Sequence, residues 1–516
     1  MHSRRQIGAT KLLPVDMIGA GAKRYRNRIA ISTENSAISF TRVDEISSQL
    51  ANVLVGLGIE QLERVGVLVG NELLTVPLDF AALKARCVRV PLNARLSSRE
   101  HTLMISSANV RRVIYSPSLS ERVNELQTTL DGVEFLSLGS NDFGHLDILA
   151  ASESASSSAT TRTHAPGDPI LALFTSGTTG TLKAAVHSQA TYGAIVTNIL
   201  ANLISPERDD VMIHAAPLIH ASGTFVFPFW LRGARAHVMN GFSPDAYLSN
   251  CAKEGVTHAS LVPTMVQMLM DHVDPREYDL SLRSIIYGAS PMPTSTIARA
   301  MESFGPIFTQ YYGQTEAPLA ISVLPASDHD PQRGLLQSAG APSVDATIRI
   351  VTPEGGEVQA GEVGEITVEA PFVMEGYLDA PALNAETLIA PHHLRTRDLG
   401  YLDESGYLYL VDRSSDMIIS GGYNVYPREV EDILLSHPDV AECGVVGQSD
   451  PTWVEAVVAF VVLRDGANAS KTDITAFARQ HLAAYKVPKE VHLIDTMPKS
   501  AVGKVLRRAL RERLPK

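Results

Sequence analysis

Cysteine is nearly absent: Cys87, Cys251 and Cys443 are the three in 516 residues. Odd in number and far apart, they make neither a disulfide framework nor a metal-ligand cluster, and they fit a reducing compartment. No apolar run is long enough to span a bilayer, which needs about 20 mostly apolar residues. The most apolar region, residues 211–231, is broken by His214, Pro217, His220 and Pro228. It reads as a buried core segment. Near the N-terminus stand Arg4, Arg5 and Lys11, but the Leu-Leu-Pro-Val-Asp that follows is too short and broken for a signal core. Basic charge is not in excess either. Lys and Arg total 44 against 56 Asp and Glu, a net charge of −12. That argues against general nucleic-acid binding, and any anionic ligand must be met by local basic groups. No internal repeat is present. What remains is a cytoplasmic enzyme with no integral membrane segment; the oligomeric state stays open, a homodimer included. At 516 residues the chain is too long for one core and is expected to divide.

The most informative stretch present is residues 174–188, Phe-Thr-Ser-Gly-Thr-Thr-Gly-Thr-Leu-Lys-Ala-Ala-Val-His-Ser. The apolar run Ile170 to Phe174 predicts a buried strand that empties into a loop of hydroxyls and glycines. Gly177 and Gly180 let the backbone turn and bring N–H groups close to a ligand. Thr175, Ser176, Thr178 and Thr179 add hydroxyl donors, and Lys183 adds a mobile point charge. The loop reads as a polyphosphate cradle. It is not the Walker loop, which places Lys and Ser/Thr directly after its second glycine.

Around it the chain alternates helical and strand patterns. Phe40 to Leu57 has helical spacing, with Thr41 and Asp44 as a cap-like pair. Arg64 to Val69 and Val88 to Leu92 read as strands flanking a helix from Leu73 to Lys84. Residues 151–168, rich in Ser, Ala and Thr, read as a loop, and a second α/β run covers about 190–320. From about 345 the character changes. Ala346–Val351, Glu365–Glu369 and Tyr407–Val411 look like strands joined by glycine turns. Beyond Arg413 a compact α+β unit follows. Its helix starts near Pro427 and stops before Pro438, its strands cover 441–447 and 455–463, and a second helix lies near 473–484. The fold class is α/β: a large layered N-terminal part with a β-rich subdomain, then a small α+β C-terminal domain.

Four further motifs follow the phosphate loop in order. They are Tyr311-Tyr312-Gly313-Gln314-Thr315-Glu316; Arg397-Asp398-Leu399-Gly400-Tyr401 leading to Asp412-Arg413; Ile419-Ser420-Gly421-Gly422-Tyr423-Asn424-Val425-Tyr426-Pro427; and Pro498-Lys499-Ser500-Ala501-Val502-Gly503-Lys504. Together the five resemble the adenylate-forming superfamily: acyl-CoA synthetases, adenylation domains of peptide synthetases, and luciferases. The resemblance runs over nearly the whole chain. It implies an N-terminal domain, residues 1–412, holding ATP and the acid. It also implies a mobile C-terminal domain, residues 413–516, carrying a catalytic lysine. The implied chemistry has two halves. A carboxylate attacks the α-phosphate of ATP to give an acyl-adenylate and pyrophosphate, and a thiol then displaces AMP.

The resemblance also assigns residues. Thr175 to Lys183 hold the β- and γ-phosphates. Glu316 is a hard oxygen ligand for Mg²⁺. Thr315 donates to the α-phosphate, Tyr312 offers a flat face to adenine, and Gly288-Ala289-Ser290 lies along the adenine edge. Asp398 accepts from the ribose hydroxyls, and Arg413 reaches the ribose. Lys504 is the catalytic cation: negative charge grows on the α-phosphate and bridging oxygens, and an ammonium there stabilises it selectively. By composition alone Lys504 is one charge in a basic tail, since residues 499–516 hold seven Lys and Arg against one Glu. His220 matches a position beside the acyl carboxylate, with Tyr287, Gly288, Tyr311 and Gly313 lining the acid pocket. Gly313 stands where an acetate-specific member carries Trp, so the acid is expected to be larger than acetate. For coenzyme A, Gly421, Gly422 and Tyr423 line the pantetheine path, and Trp453 and Tyr485 lie near the nucleotide.

The chain departs from the pattern in places. Leu182-Lys183-Ala184 replaces Pro-Lys-Gly, and Trp453-Val454-Glu455 replaces Trp-Gly-Glu. Ser415 stands at the hinge in place of Asp or Lys. Val487 replaces a basic CoA contact that Lys486 or Lys489 supplies instead. Thr396-Arg397-Asp398 replaces Thr-Gly-Asp, setting a long cation beside the ribose site, able to reach phosphate or the other domain. The expected enzyme is a carboxylate–CoA ligase for an aromatic or medium-chain acid. An enzyme loading a separate carrier protein is the first alternative, and a non-catalytic nucleotide-binding protein the second.

Overall fold

The computed structural model describes residues 13–176, 182–413, 416–420, 423–450, 453–500 and 503–514, without the side chains of Ser176 and Arg413. Two large sheets carry most of the chain before residue 345. One has eight strands in the order Gly376–Tyr377, Leu182–Ser188, Pro169–Ser176, Val88–Pro91, Arg64–Leu68, Arg112–Tyr115, Glu134–Ser137 and Leu146–Asp147. The other has nine, with Phe308–Gln314, Ser284–Gly288, His258–Leu261, Val211–His214, Arg235–Val238 and Ile29–Ser32 as its run of parallel strands. Ala317–Leu324 pairs antiparallel with Phe308–Gln314 and covers that end of the run.

The strands are short and apolar because both faces are covered. Val211–His214, His258–Leu261 and Val88–Pro91 are buried at every position, as parallel strands under helices should be. The helix Phe40–Gly56 buries Phe40, Val43, Ile46, Leu50, Ala51 and Leu54, a three-and-four spacing that forms one face. Its cap differs from the expected Thr41. Ser39 is extended and its hydroxyl accepts from the Arg42 N–H at 3.2 Å, because Thr41 already lies inside the first turn. Residues 211–231 divide into a strand and two short helices, Ala221–Thr224 and Val226–Arg232, with Trp230 2% exposed. No helix among the described residues is long and apolar enough to cross a membrane.

The expected change near 345 is present. A five-stranded sheet of Thr347–Val351, Gly364–Glu369, His393–Leu402, Leu388–Ala390 and Leu408–Arg413 follows, nearly all antiparallel hairpins. A fourth sheet holds Tyr423–Val425, Ile418–Ser420, Val454–Leu463, Val440–Asp450 and Glu490–Leu493, packed by helices Pro427–Leu435 and Lys471–His481. The second of these helices starts two residues earlier than its apolar spacing implies. Ser470 and Asp473 form a reciprocal capping box there.

Several histidines are sealed inside these layers. His214 Nδ1 meets the Ser222 hydroxyl at 2.9 Å, and its Nε2 has no partner among the described residues. His187 Nε2 donates to the Thr315 carbonyl at 2.8 Å, and its Nδ1 is likewise buried and unpartnered. Burial pushes the His187 pKa down to about 4 and the His214 pKa down to about 3. The unfolded chain therefore takes up protons below about pH 6.5 that the folded chain refuses, so stability falls as pH drops from there. Each such histidine is expected to cost about 2 kcal/mol at pH 5. Urea midpoints at pH 7.5 and 5.0 measure this. His187→Gln, which keeps an N–H for the Thr315 carbonyl, should shrink the difference between the two; an undiminished difference would remove His187 from the account.

Candidate active site

The expected strand at the phosphate segment pairs with a second strand that follows it. Pro169–Ser176 returns as Leu182–Ser188, and the register sets Thr175 opposite Lys183. The lysine is thus carried on a paired strand. Gly177, Thr178, Thr179 and Gly180 lie outside the described residues, as does the Ser176 side chain. Gly376–Tyr377 pairs with the outer edge of the returning strand, through Val186 and Ala185. That brings the Tyr377 ring under the Lys183 ammonium, 5.6 Å from the ring centroid. The Tyr377 hydroxyl donates to Glu316 Oε1 at 2.6 Å. Burial and the nearby Arg397 charge hold the Lys183 ammonium below its ordinary pKa, while Glu316 and Glu386 act in the opposite sense.

Glu316 and Thr315 occupy the turn between Phe308–Gln314 and Ala317–Leu324. His187 fixes this turn through the Thr315 carbonyl, and the Met374 N–H does so through the Glu316 carbonyl at 2.8 Å. On the preceding strand the Tyr312 hydroxyl donates to Asp398 Oδ2 at 2.6 Å, and Gln314 Nε2 donates to the same oxygen at 2.5 Å. Asp398 is further oriented by the Thr396 hydroxyl, which accepts its N–H at 3.1 Å. Tyr312 is 7% exposed and belongs to the largest core cluster, so in this structure it orients the carboxylate. Ala289, in the expected adenine-edge segment, adopts φ +71°, and Arg397, beside Asp398, adopts +61°. Left-handed backbone at non-glycine residues concentrates at functional sites. Ser290 follows Ala289 and is half-buried.

Two residues expected at the acid pocket are closely packed in the structure. Tyr287 is fully buried, and its hydroxyl lies 3.0 Å from Gln310 Oε1 and 2.9 Å from His329 Nε2. The strand Ser284–Gly288 is buried at every position from Ile285 on, and the Tyr287 ring packs into the core cluster that also holds Phe308. Gly313 does not face open space. A Cβ there would lie 2.2 Å from the Leu319 carbonyl oxygen and 2.7 Å from its nitrogen. The ladder to the returning strand shifts register at this point, pressing the two backbones together. Gly288 and Tyr311 are buried against each other, with Tyr311 5% exposed.

His220 stands at the start of the short helix Ala221–Thr224, on a loop that Asn71 holds from both sides. Asn71 Oδ1 accepts the Leu218 N–H at 2.9 Å and Nδ2 donates to the Ala216 carbonyl at 2.9 Å. Asn93 Nδ2 donates to His220 Nε2 at 3.1 Å, which assigns the proton of the neutral ring to Nδ1. Burial, with the Arg95 charge nearby, pushes its pKa down to about 4. The imidazole is uncharged at neutral pH.

Lys504 follows a tight turn. Its N–H donates to the Ser500 hydroxyl at 3.1 Å, and its carbonyl accepts the Ser500 N–H at 2.7 Å. Gly503 has φ +82° and lies against Thr264, where an added Cβ would meet Oγ1 at 3.1 Å. Thr264 sits just past the carboxyl end of His258–Leu261, on the sheet edge where Gly288 to Ser290 and Tyr312 to Glu316 emerge. The C-terminal unit therefore presents its lysine turn to that edge. On its own surface Tyr423 and Tyr485 stack at 4.7 Å, and Lys489 lies 4.5 Å over the Trp453 ring. Val487 is buried and takes no part in this surface. Gly421, Gly422 and Ser415 lie outside the described residues, and of Arg413 only the backbone, paired with Asp398, is described. Tyr377, Gln314, Asn93 and His187 were missed by sequence reasoning. None stands in a motif with the group it supports, and only the packing of separate sheets and loops brings them together.

A sequence profile of the AMP-binding enzyme family matches residues 19–378, and that of the AMP-binding enzyme C-terminal domain matches residues 429–504. The chain belongs to this family, and so to the adenylate-forming superfamily of the acyl-CoA synthetases. It is 35% identical to a feruloyl-CoA synthase of an Amycolatopsis species, over 95% of this chain and 97% of that one. It is 32% identical to the medium/long-chain-fatty-acid–CoA ligase FadD8 of Mycobacterium tuberculosis, over 96% and 89%. Among solved structures it resembles o-succinylbenzoate CoA synthetase of Bacillus subtilis in complex with its acyl-adenylate intermediate. That likeness has a TM-score of 0.85 and 28% identity, over 96% of this chain and 97% of that one.

The Gly313 contact has a measurable consequence. Gly313→Ala should lower stability by about 1–3 kcal/mol through overpacking against Leu319 and reduce activity on all acids alike. Thermal midpoints and an acid panel check this. An unchanged midpoint with selective loss of large acids would restore Gly313 to the pocket wall.

Proposed function

We propose that the protein joins a carboxylic acid to the thiol of coenzyme A, using ATP and passing through an acyl-adenylate, and that the acid is aromatic or medium-chain aliphatic. The observation that carries this reading is one corner of the fold. Lys183 and Glu316 meet at Tyr377; Gln314, two residues before Glu316, holds the Asp398 carboxylate; and the Lys504 turn docks on the same sheet edge. The relatives named above, one for an aryl acid and one for fatty acids, support the two acid classes.

In this reading Asp398, oriented by Tyr312 and Gln314, accepts the ribose hydroxyls as an ionised carboxylate. Lys183, with Thr175 opposite it, binds the terminal phosphates. Glu316 fits a magnesium ion carried on the triphosphate: it offers one carboxylate, and phosphate and water oxygens complete such a shell. Among the described residues no three His, Cys, Asp or Glu side chains gather into a cage of their own. When bound, the ion neutralises charge on the departing pyrophosphate. Neutral His220 adds no cation to the acid's carboxylate, which keeps its nucleophilicity. The carboxylate oxygen bonds to the α-phosphorus, the α–β bridging P–O bond breaks, and Lys504 stabilises the charge that develops. The thiolate of CoA then attacks the acyl carbon, and AMP departs with its carboxyl-derived oxygen. Exposed Tyr423 stacked on Tyr485, and Trp453 under Lys489, are aromatic and cationic groups suited to the CoA nucleotide. The three cysteines are free and buried, which suits the cytoplasm.

The test is AMP release with Mg-ATP over benzoates, cinnamates and C4–C12 acids, with and without CoA, with the products weighed by mass spectrometry. AMP and acyl-CoA should appear together. Pyrophosphate without thioester would overturn the CoA acceptor and point to a carrier protein. Lys504→Ala should slow adenylation about 10²–10³-fold and leave thioester formation from supplied acyl-adenylate within a few-fold; equal loss in both halves contradicts its role. Trp453→Ala should raise KM for CoA about tenfold, the loss of roughly 1.4 kcal/mol of stacking, with adenylation unchanged. An unaltered KM would place the nucleotide elsewhere.

A further inference from the structure

Arg397 stands where the resemblance calls for glycine, and its backbone keeps the conformation that suits glycine, φ +61°. A long side chain at such a position is disfavoured, so the chain tolerates strain to carry a guanidinium there. Its location is specific. It directly precedes Asp398, whose carboxylate is held by Tyr312 and Gln314. Arg397 Nη2 donates to the Thr387 hydroxyl at 3.3 Å and lies 3.6 Å from Glu386, at the end of helix Pro381–Thr387. That helix is tied to Tyr377 through Asn384, whose Oδ1 accepts the Tyr377 N–H at 2.6 Å. Arg397 and Lys183 thus approach the same site from the two ends of one connected group, Arg397 from the helix end and Lys183 over Tyr377. The mutual repulsion of these two cations is one reason the Lys183 ammonium is held below its ordinary pKa.

We propose that Arg397 contacts the phosphate chain, gripping the β- and γ-phosphates of ATP, and the pyrophosphate they become, together with Lys183. Two cations brought together beside a nucleotide-binding carboxylate call for a polyanion. A planar fork of donors matches phosphate oxygens better than a second ammonium would. Glu386 and Thr387 then serve as the perch from which the guanidinium swings to its ligand. The inference rests on the ATP-dependent reading above and adds to it a determinant of triphosphate affinity particular to this chain.

The experiment compares AMP, the non-hydrolysable α,β-methylene-ATP and inorganic pyrophosphate, each with Mg²⁺, by calorimetry on the full chain. Arg397→Gly should weaken the ATP analogue and pyrophosphate about tenfold or more and leave AMP within twofold, because AMP lacks the phosphates in question. Its thermal midpoint should hold or rise, since glycine adopts positive φ freely. Arg397→Lys should recover part of the affinity. Glu386→Gln and Thr387→Val, which remove the perch but not the cation, should leave pyrophosphate binding within about threefold. Wild-type affinity for both phosphate ligands in Arg397→Gly overturns the proposal. So does an equal loss of AMP, which would mean that Arg397 acts through the ribose carboxylate. Failure of the wild-type chain to form an adenylate with any acid would instead sink the ligase reading, and the binding comparison would still report on Arg397.

Discussion

The contact on which the site depends is the seam between the two large sheets at Thr315 and Glu316. Three hydrogen bonds cross it: His187 to the Thr315 carbonyl, Met374 to the Glu316 carbonyl, and the Tyr377 hydroxyl to the Glu316 carboxylate. Gly376–Tyr377 and His187 belong to the eight-stranded sheet, and the turn at 315–316 belongs to the nine-stranded one. Without these bonds the phosphate hairpin and the carboxylate turn would be features of separate layers. With them, Lys183 and Glu316 share one aromatic side chain. The seam is partly or wholly buried, so each bond is shielded from competing water and its loss would expose an unpaired group.

The local electrostatics run against the chain as a whole. The protein carries a net charge of −12, yet Arg397 lies near enough to Lys183 for the two charges to oppose each other, and the turn that carries Lys504 rests on Thr264. Buried histidines nearby contribute no charge, since desolvation keeps His187 and His220 neutral. The positive field at the site is therefore made by a few placed cations. That suits a ligand that is strongly anionic before reaction and leaves as two smaller anions.

The join to the C-terminal sheet is ionic. Arg507 lies 2.7 Å from Glu431, 3.2 Å from Asp416 and 3.7 Å from Asp412, and the Arg428 N–H meets Asp412 at 3.0 Å. Asp412 is the last residue but one of the strand before the join, so the basic character near the C-terminus is spent partly on anchoring. Lys499 likewise pairs with Glu442 at 2.6 Å. The basic tail seen in composition thus resolves into anchors, such as Arg507 and Lys499, and one lysine presented by a glycine turn against Thr264.

The order of apolar runs and turns was enough, by itself, to determine the alternation of strands and helices, the change to hairpins near 345 and the C-terminal α+β unit. These are set by local periodicity, which each segment carries alone. Motif order also singled out Lys183, Glu316, Asp398 and Lys504 as candidates, because those residue types are uncommon together in glycine-rich turns. Tertiary structure alone decided what surrounds them. The pairing of Thr175 with Lys183, the close backbone at Gly313, the inward turn of Tyr287 and the support from Tyr377, Gln314 and Asn93 all arise between segments far apart in the chain. Which side of a strand faces a pocket, and how much room a glycine leaves, depends on what packs across from it, and that is information no single segment contains.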